Sequence, residues 1–303
     1  MSRQSPINRN SPTRASQSSD FPIAPIHGKK MSSRLTSLGG YLFFSILSLI
    51  MLIPMFWIVT MAFKTKREFI SNPIGLPTSL NFENFLRLFA EERLLRFLGN
   101  SIVVTLAAVM IVLVASTLAG YALARYTFRG QRFLFTLFLI GDTIPLFVVL
   151  IPLFLFIQSI GLSGSLWSLI LPYAAMNMGL AVYMMRGFFR TIVRDIEDAA
   201  LMDGCNTWQL IYYVMLPLIR PGALVVAIVT FISYWNEYFL VQVLVPSQDL
   251  FTLPAGIASM FMGRFGTNFP IWGAGIILSV LPTIVLFAFA QDKIIEGWTF
   301  ASK

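Results

Sequence analysis

The chain has 303 residues, a formal net charge of +8, and a composition 56% hydrophobic against 12% charged. With a mean hydropathy of +0.75, 28 Phe and 14 Met, it is not an ordinary water-soluble domain, whose charged fraction is about twice as high. The single cysteine, Cys205, excludes an internal disulfide framework, and with no CxxC and no Cys/His cluster the sequence offers no metal site.

Residues 1–38 are rich in Ser, Asn, Pro and Arg without apolar periodicity, which predicts a disordered basic tail. Lys29, Lys30 and Arg34 near its end serve as a topology anchor or touch anionic lipid. The apolar segment from Tyr41 is too long for the core of a signal peptide, and no small-residue cleavage site follows it. Uncharged runs then cover 35–63, 97–124, 133–185 broken only by Asp142, 221–248 broken only by Glu237, and 265–291. Crossing a hydrocarbon core takes about 20 helical residues. The run 133–185 is long enough for two crossings, with QSIGLSGS at 158–165 as the turn between them.

The expectation is an all-α membrane protein of six transmembrane helices, 39–63, 100–124, 133–158, 167–187, 222–245 and 271–293, forming one domain over 39–293 with a short tail at 294–303. Ser116 and Gly120, with Ala115 and Ala119, give the second span a face that a neighbouring helix can approach closely. Pro145, Pro152, Pro172 and Pro282 lie within spans, and each frees a carbonyl that a neighbour or a wet cavity must satisfy. Fifteen of the 22 Lys and Arg fall on the side of the two termini, so the positive-inside bias puts both termini in the cytoplasm. The positive charge is then mostly topological and gives no reason to expect nucleic acid as a partner.

Between spans four and five, on the cytoplasmic side, 188–221 contains RDIEDAALMDGCNTWQLIYYVMLPLIRP. Asp195 with Asp198 approximates a capping box, so a helix starts near Ile196 and Gly204 ends it in a left-handed conformation. Asn206 with Gln209 repeats the capping pattern for a second helix over 207–216, and Pro217 and Pro221 then break the chain before span five. From these residues alone two readings stand level. The hairpin is a rigid knob that docks on a partner, or it lies on lipid headgroups with Trp208, Tyr212 and Tyr213 as anchors. Glu197 reads as solvated.

Asp198, Ala199, Ala200, Asp203, Gly204, Leu216 and Pro217 resemble the EAA loop of permease subunits in binding-protein-dependent ABC importers, with Asp198 where Glu is usual and Cys205 where Ala is usual. YWNEYFLVQVLV, FTLPAGIASM, LPTIVLFAFAQ and the terminal GWTF are similar to the carbohydrate-uptake branch, the maltose-type second permease. The longer Ser-rich tail and the ending GWTFASK depart from that branch. The resemblance implies a type I importer permease in a bacterial or archaeal cell (inner) membrane, carrying a sugar or sugar-like solute, or another small polar solute. It implies as partners a second homologous permease, two ATP-binding cassette subunits and an extracytoplasmic solute-binding protein. The knob becomes a coupling helix seated on the ATPase, with Asp198, Ala199, Ala200, Asp203, Gly204, Leu216 and Pro217 as coupling residues.

The chain itself has no GxxxxGK[ST] loop, so it holds no ATP or other cofactor, and energy comes from the partner. Charged groups inside a bilayer usually face a cavity or each other. Thr230, Ser233 and Glu237 share one helical face and, with Asn236 and Asp142, line a translocation path or form interhelical hydrogen bonds. His27, the only histidine, lies in the tail, and no HExxH or GxSxG is present, so no catalytic site is expected. A non-transporting scaffold or an intramembrane enzyme is the remaining alternative.

Overall fold

The structure is a computed structural model that describes residues 30–263, 266 and 268–301. Residues 1–29, with His27 and most of the expected tail, lie outside the described residues. In chain order the helices are α1 (Lys30–Ala62), α2 (Lys66–Ser71), α3 (Glu83–Phe89), α4 (Glu92–Arg125), α5 (Gln131–Thr143), α6 (Leu146–Ser159), α7 (Trp167–Met176), α8 (Met178–Thr191) and α9 (Arg194–Met202). Then come α10 (Thr207–Gln209), a π-helical segment Leu210–Met215, α11 (Leu216–Trp235), α12 (Phe239–Leu244), α13 (Leu253–Met262) and α14 (Phe269–Ala301). Four helices are long and apolar enough to cross a membrane, and two bent pairs bring the number to six when each pair counts as one crossing.

The chain divides into units 1–53 and 54–303. In the first, residues 41–53 of α1 are exposed throughout, and Tyr41, Phe43, Leu49 and Ile53 present apolar side chains. A helix that is apolar all round in this way suits lipid or another membrane chain. The helix also begins at Lys30, inside the stretch expected to be disordered, because extending an anchored helix by a turn or two costs far less than nucleating one. The same effect carries α14 through 294–301, where a tail was expected.

In the second unit α4 is central. Phe97, Ser101, Val104, Thr105, Ala108, Val112 and Ser116 are buried at helical spacing along it and form one stripe of core. Its small-residue face is realised against α8, where Gly120 comes so close that a Cβ there would lie 2.7 Å from that of Met185.

The expected third and fourth spans are each broken. α5 and α6 meet at 101° and α7 and α8 at 48°. The first break follows from Pro145. Proline disfavours helical backbone at the preceding residue, and Ile144 is extended at φ −75, ψ 121. The second falls at Asn177, φ −111 and ψ 13, with no proline at the joint. Span five also ends early: α11 stops at Trp235 and a separate α12 covers part of the expected remainder.

At its other end α11 is longer than expected, because Pro217 and Pro221 do not break it. Thr207–Trp235 forms one continuous span of 29 residues. Pro217 directly follows a π-helical turn, whose wider winding moves the carbonyl that its ring would strike.

Outside the bundle, α2 and α3 are fixed by buried polar groups. The Lys64 ammonium donates to the Asn72 carbonyl at 2.8 Å and Asn84 to the carbonyls of Ala62 and Lys64 at 2.8 and 2.9 Å. The 245–253 connection is tied to the start of α4 by Arg96–Asp249 at 2.8 Å, Asn100 on the Asp249 and Phe251 carbonyls, and the Leu253 N–H on Ser101 Oγ at 2.7 Å.

Candidate functional site: the α9–α10 hairpin and the polar joint between broken helices

The hairpin is made rigid by its own backbone bonds. Gly204 has φ +88, its N–H reaches the Leu201 carbonyl at 3.0 Å, and the Cys205 N–H reaches that of Ala200 at 3.1 Å. This pair of bonds is the Schellman ending that glycine permits at low strain. Two residues on, Asn206 Oδ1 accepts from the Gln209 N–H at 3.0 Å and Gln209 Oε1 accepts from the Asn206 N–H at 2.9 Å, closing the capping box the spacing predicts. The start of α9 differs from expectation. Val193 is the N-cap, and Asp195 lies in the first turn, where its charge complements the helix dipole without capping an amide.

Glu197 is the main correction. It is buried, forms an ion pair with Arg125 at the end of α4, and receives the Tyr121 hydroxyl at 3.4 Å. Arg125 Nη2 also donates to the Ile192 carbonyl at 2.8 Å, so one guanidinium holds both α9 and the segment leading into it. An acid on the inner face of α9, beside Ala200, and a base at the end of a span are the sequence signals for this pair. Their separation along the chain conceals it.

The hairpin therefore has two faces. Glu197 and Ala200 turn inward, while Asp198, Ala199, Asp203 and Gly204 are exposed, together with Met202 (88%), Trp208 (71%), Tyr212 (65%) and Tyr213 (68%). Leu216 is half-buried and Pro217 exposed. A cavity of about 180 Å³ opens between α4 and the hairpin, lined by Tyr121, Tyr126, Arg194, Glu197, Asp198 and Thr207 among others.

The intramembrane polar residues gather where the helices break. Asn177, at the α7–α8 joint, donates to Ser233 Oγ on α11 at 3.1 Å. Tyr173, fully buried on α7, donates to Glu237 Oε2 at 2.9 Å, while Glu237 Oε1 accepts the Leu240 N–H at 2.8 Å and so caps α12. Asp142, near the end of α5, faces the first turn of α8, where a Cβ added to Gly179 would lie 2.7 Å from its Oδ2. A helix that starts inside a membrane leaves amides that water cannot reach, and here a carboxylate from another helix lies beside them. Tyr234 stacks on Tyr173 at 5.5 Å between ring centroids.

Asp142, Ser233 and Glu237 thus converge on the broken helices. The other two path candidates do not. Thr230 is buried and donates to the Val226 carbonyl of its own helix at 2.7 Å, and Asn236 is exposed and donates to the Ile232 carbonyl at 2.8 Å. Tyr173 and Asn177, which sequence reasoning missed, complete the cluster. Their signal was polar side chains within an apolar run, which packing alone does not require.

Residues 112–294 match the family described as the binding-protein-dependent transport system inner membrane component. A permease protein of a diacetylchitobiose uptake system from Streptomyces coelicolor is 32% identical over 248 residues, covering 82% of this chain and 82% of the relative. A permease protein of a sulfoquinovosyl glycerol transport system from Agrobacterium fabrum is 32% identical over 249 residues, covering 82% of this chain and 87% of the relative. Among solved structures, a chain of a bacterial ABC transporter that imports alginate superposes with a TM-score of 0.75 at 24% identity, over 89% of this chain and 99% of that one. With the broken spans and the helix–turn–helix between α8 and α11 already in place, these likenesses settle the family: the chain is a multi-pass membrane component of binding-protein-dependent transport systems.

Proposed function

We propose that the chain is one of two permease subunits of an ATP-driven importer of a sugar, glycoside or related polyol. The observation that carries this reading is the hairpin, whose caps make it rigid, whose Glu197 is fixed to α4, and whose outer face exposes Met202, Trp208, Tyr212 and Tyr213. Exposed apolar side chains grouped on a rigid protrusion suit a protein partner. The partner is a cytoplasmic ATP-binding cassette, two copies of which close on ATP and move the hairpin as a rigid body. Asp198, Ala199, Asp203 and Gly204 form the contact and its turn, Ala200 packs the hairpin against the core beneath it, and Leu216 and Pro217 start the helix that carries the movement into the membrane.

The carbohydrate class is supported by the uptake of diacetylchitobiose, sulfoquinovosyl glycerol and alginate by the systems of the relatives and the structural neighbour. Solute hydroxyls would meet Asp142, Asn177, Ser233, Tyr234 and Glu237 at the joint of the broken helices. Acceptors, amide donors and aromatic faces grouped together suit polyols. Both termini and the hairpin lie in the cytoplasm of a bacterial or archaeal cell, by the distribution of Lys and Arg. The external binding protein and a homologous second permease complete the assembly.

Affinity purification of the tagged chain in mild detergent should bring down a P-loop ATPase and a second multispan protein, and recovery of neither overturns the reading. In that complex Gly204→Val forces a β-branched residue into φ +88, at a cost of about 1–2 kcal/mol to the turn. Solute-stimulated ATPase should be lost while the chain stays in the membrane, and normal stimulation would refute the coupling role.

A further inference from the structure

We propose that the membrane-surface pocket lined by Gln131, Arg132, Phe135 and Arg186 binds the phosphate headgroup of an anionic phospholipid. The pocket has a volume of about 320 Å³ and lies where α5 starts, against the part of α8 that leads to the hairpin. Arg186 is held in place from two sides. Its Nε donates to the Leu123 carbonyl at 3.2 Å, and its guanidinium carbon lies 4.1 Å from the centre of the Phe135 ring. The terminal nitrogens make no hydrogen bond to the protein among the described residues. Gln131 donates to the same Leu123 carbonyl at 2.8 Å and so helps to fix the pocket wall.

No carboxylate lines this pocket, and the charge that acts on Arg186 is another cation, Arg190. Among the described residues the arginines with ion pairs are Arg87, Arg96 and Arg125, while Arg132 and Arg186 have none. Two guanidiniums kept together without an acid call for an anion, and the planar forks suit phosphate oxygens. α5 adds to this. Gly130 caps it in a left-handed conformation with no side-chain bond, so its first-turn amides and its dipole also favour negative charge.

The remaining surface of α5 identifies the anion as lipid. The helix has no buried residue, and Phe133, Leu134, Leu137 and Ile140 are exposed along it at 69, 41, 54 and 51%. The stacked pair Phe135–Tyr183 continues that apolar wall onto α8. Arginines at the water edge above an apolar helix surface match a phospholipid, with its headgroup in the pocket and its acyl chains along α5. The site requires only that these helices cross a bilayer, so lipid retention and ATPase coupling fail independently of one another.

The test uses the purified, delipidated transporter complex, titrated in detergent with phosphatidylglycerol or phosphatidylcholine and read by native mass spectrometry. Phosphatidylglycerol should be retained in preference. Arg132→Gln, an exposed position with no packing role, should weaken retention about fivefold, and Arg132→Gln with Arg186→Gln about 25-fold, the loss shrinking as salt rises. Arg67→Gln, on the opposite membrane surface, should change nothing. Equal retention of the two lipids, unaltered retention in Arg132→Gln, or an equal loss in Arg67→Gln overturns the proposal. Displacement of the lipid by millimolar inorganic phosphate would assign the pocket to free phosphate instead. Protection of both arginines from chemical modification in the delipidated complex would assign it to a side chain of a partner subunit.

Discussion

Glu197 and Arg125 make a pair whose loss differs from that of a surface ion pair. Both side chains are nearly fully covered, and removing one partner of a buried pair leaves the other charged and desolvated, typically at about 3–5 kcal/mol. Glu197→Gln should therefore lower the melting temperature of the purified complex far more than Asp198→Asn on the exposed face of the same helix, and similar shifts for the two would sink the assignment. A milder effect is expected outside the membrane. The Thr78 N–H bonded to Glu68 at 2.5 Å holds that carboxyl below its ordinary range. A lowered carboxylate stabilises the folded loop above the unfolded value, about 4.3, and the gain is lost as pH falls through the lower folded value. Protection factors for hydrogen exchange over 65–80 should hold at pH 6 and fall below about pH 4, and Glu68→Gln should remove this pH dependence.

At the scale of helices, the breaks at Ile144–Pro145 and Asn177 determine what the membrane interior presents. Asp142 faces the first turn of α8 across the gap, so Asp142→Ala should destabilise the fold, while Asp142→Asn keeps an oxygen acceptor beside the α8 amides and most of the stability. Thermal unfolding of the two variants in detergent separates them, and equal losses would show that charge, and not capping, matters there. These joints also mark the limit of what the sequence reveals. Length and hydropathy find the six crossings, Gly204 and the Asn206–Gln209 pair give the hairpin, and Pro145 gives a break without its angle. The Asn177 joint has no proline to announce it, and Gly179 two residues on does not by itself mark a break. It is held by Ser233 and flanked by Asp142, both tertiary partners. Glu197 was hidden for the same reason, since its hydroxyl partner Tyr121 is 76 residues away.

For the whole molecule, the proposed orientation places α2 and the α9–α10 hairpin on opposite sides of the membrane. In a chain whose Cys205 is replaced by Ser, a membrane-impermeant maleimide should label Lys66→Cys in intact cells and Asp203→Cys only after lysis. The reverse pattern would invert the topology and remove the ATPase from reach of the hairpin.

The unbroken run from Thr207 to Trp235 gives this arrangement a mechanical meaning. Its 29 residues at 1.5 Å each make a rod about 43 Å long, reaching from the capping box to the residue before Asn236. Pivoted near its middle, such a rod is a lever. A tilt of about 10° would carry each end about 4 Å, in opposite directions. That distance exceeds the reach of the hydrogen bonds joining Ser233 and Glu237 to α7, so a small stroke at the aqueous end is enough to exchange one set of partners at the joint for another.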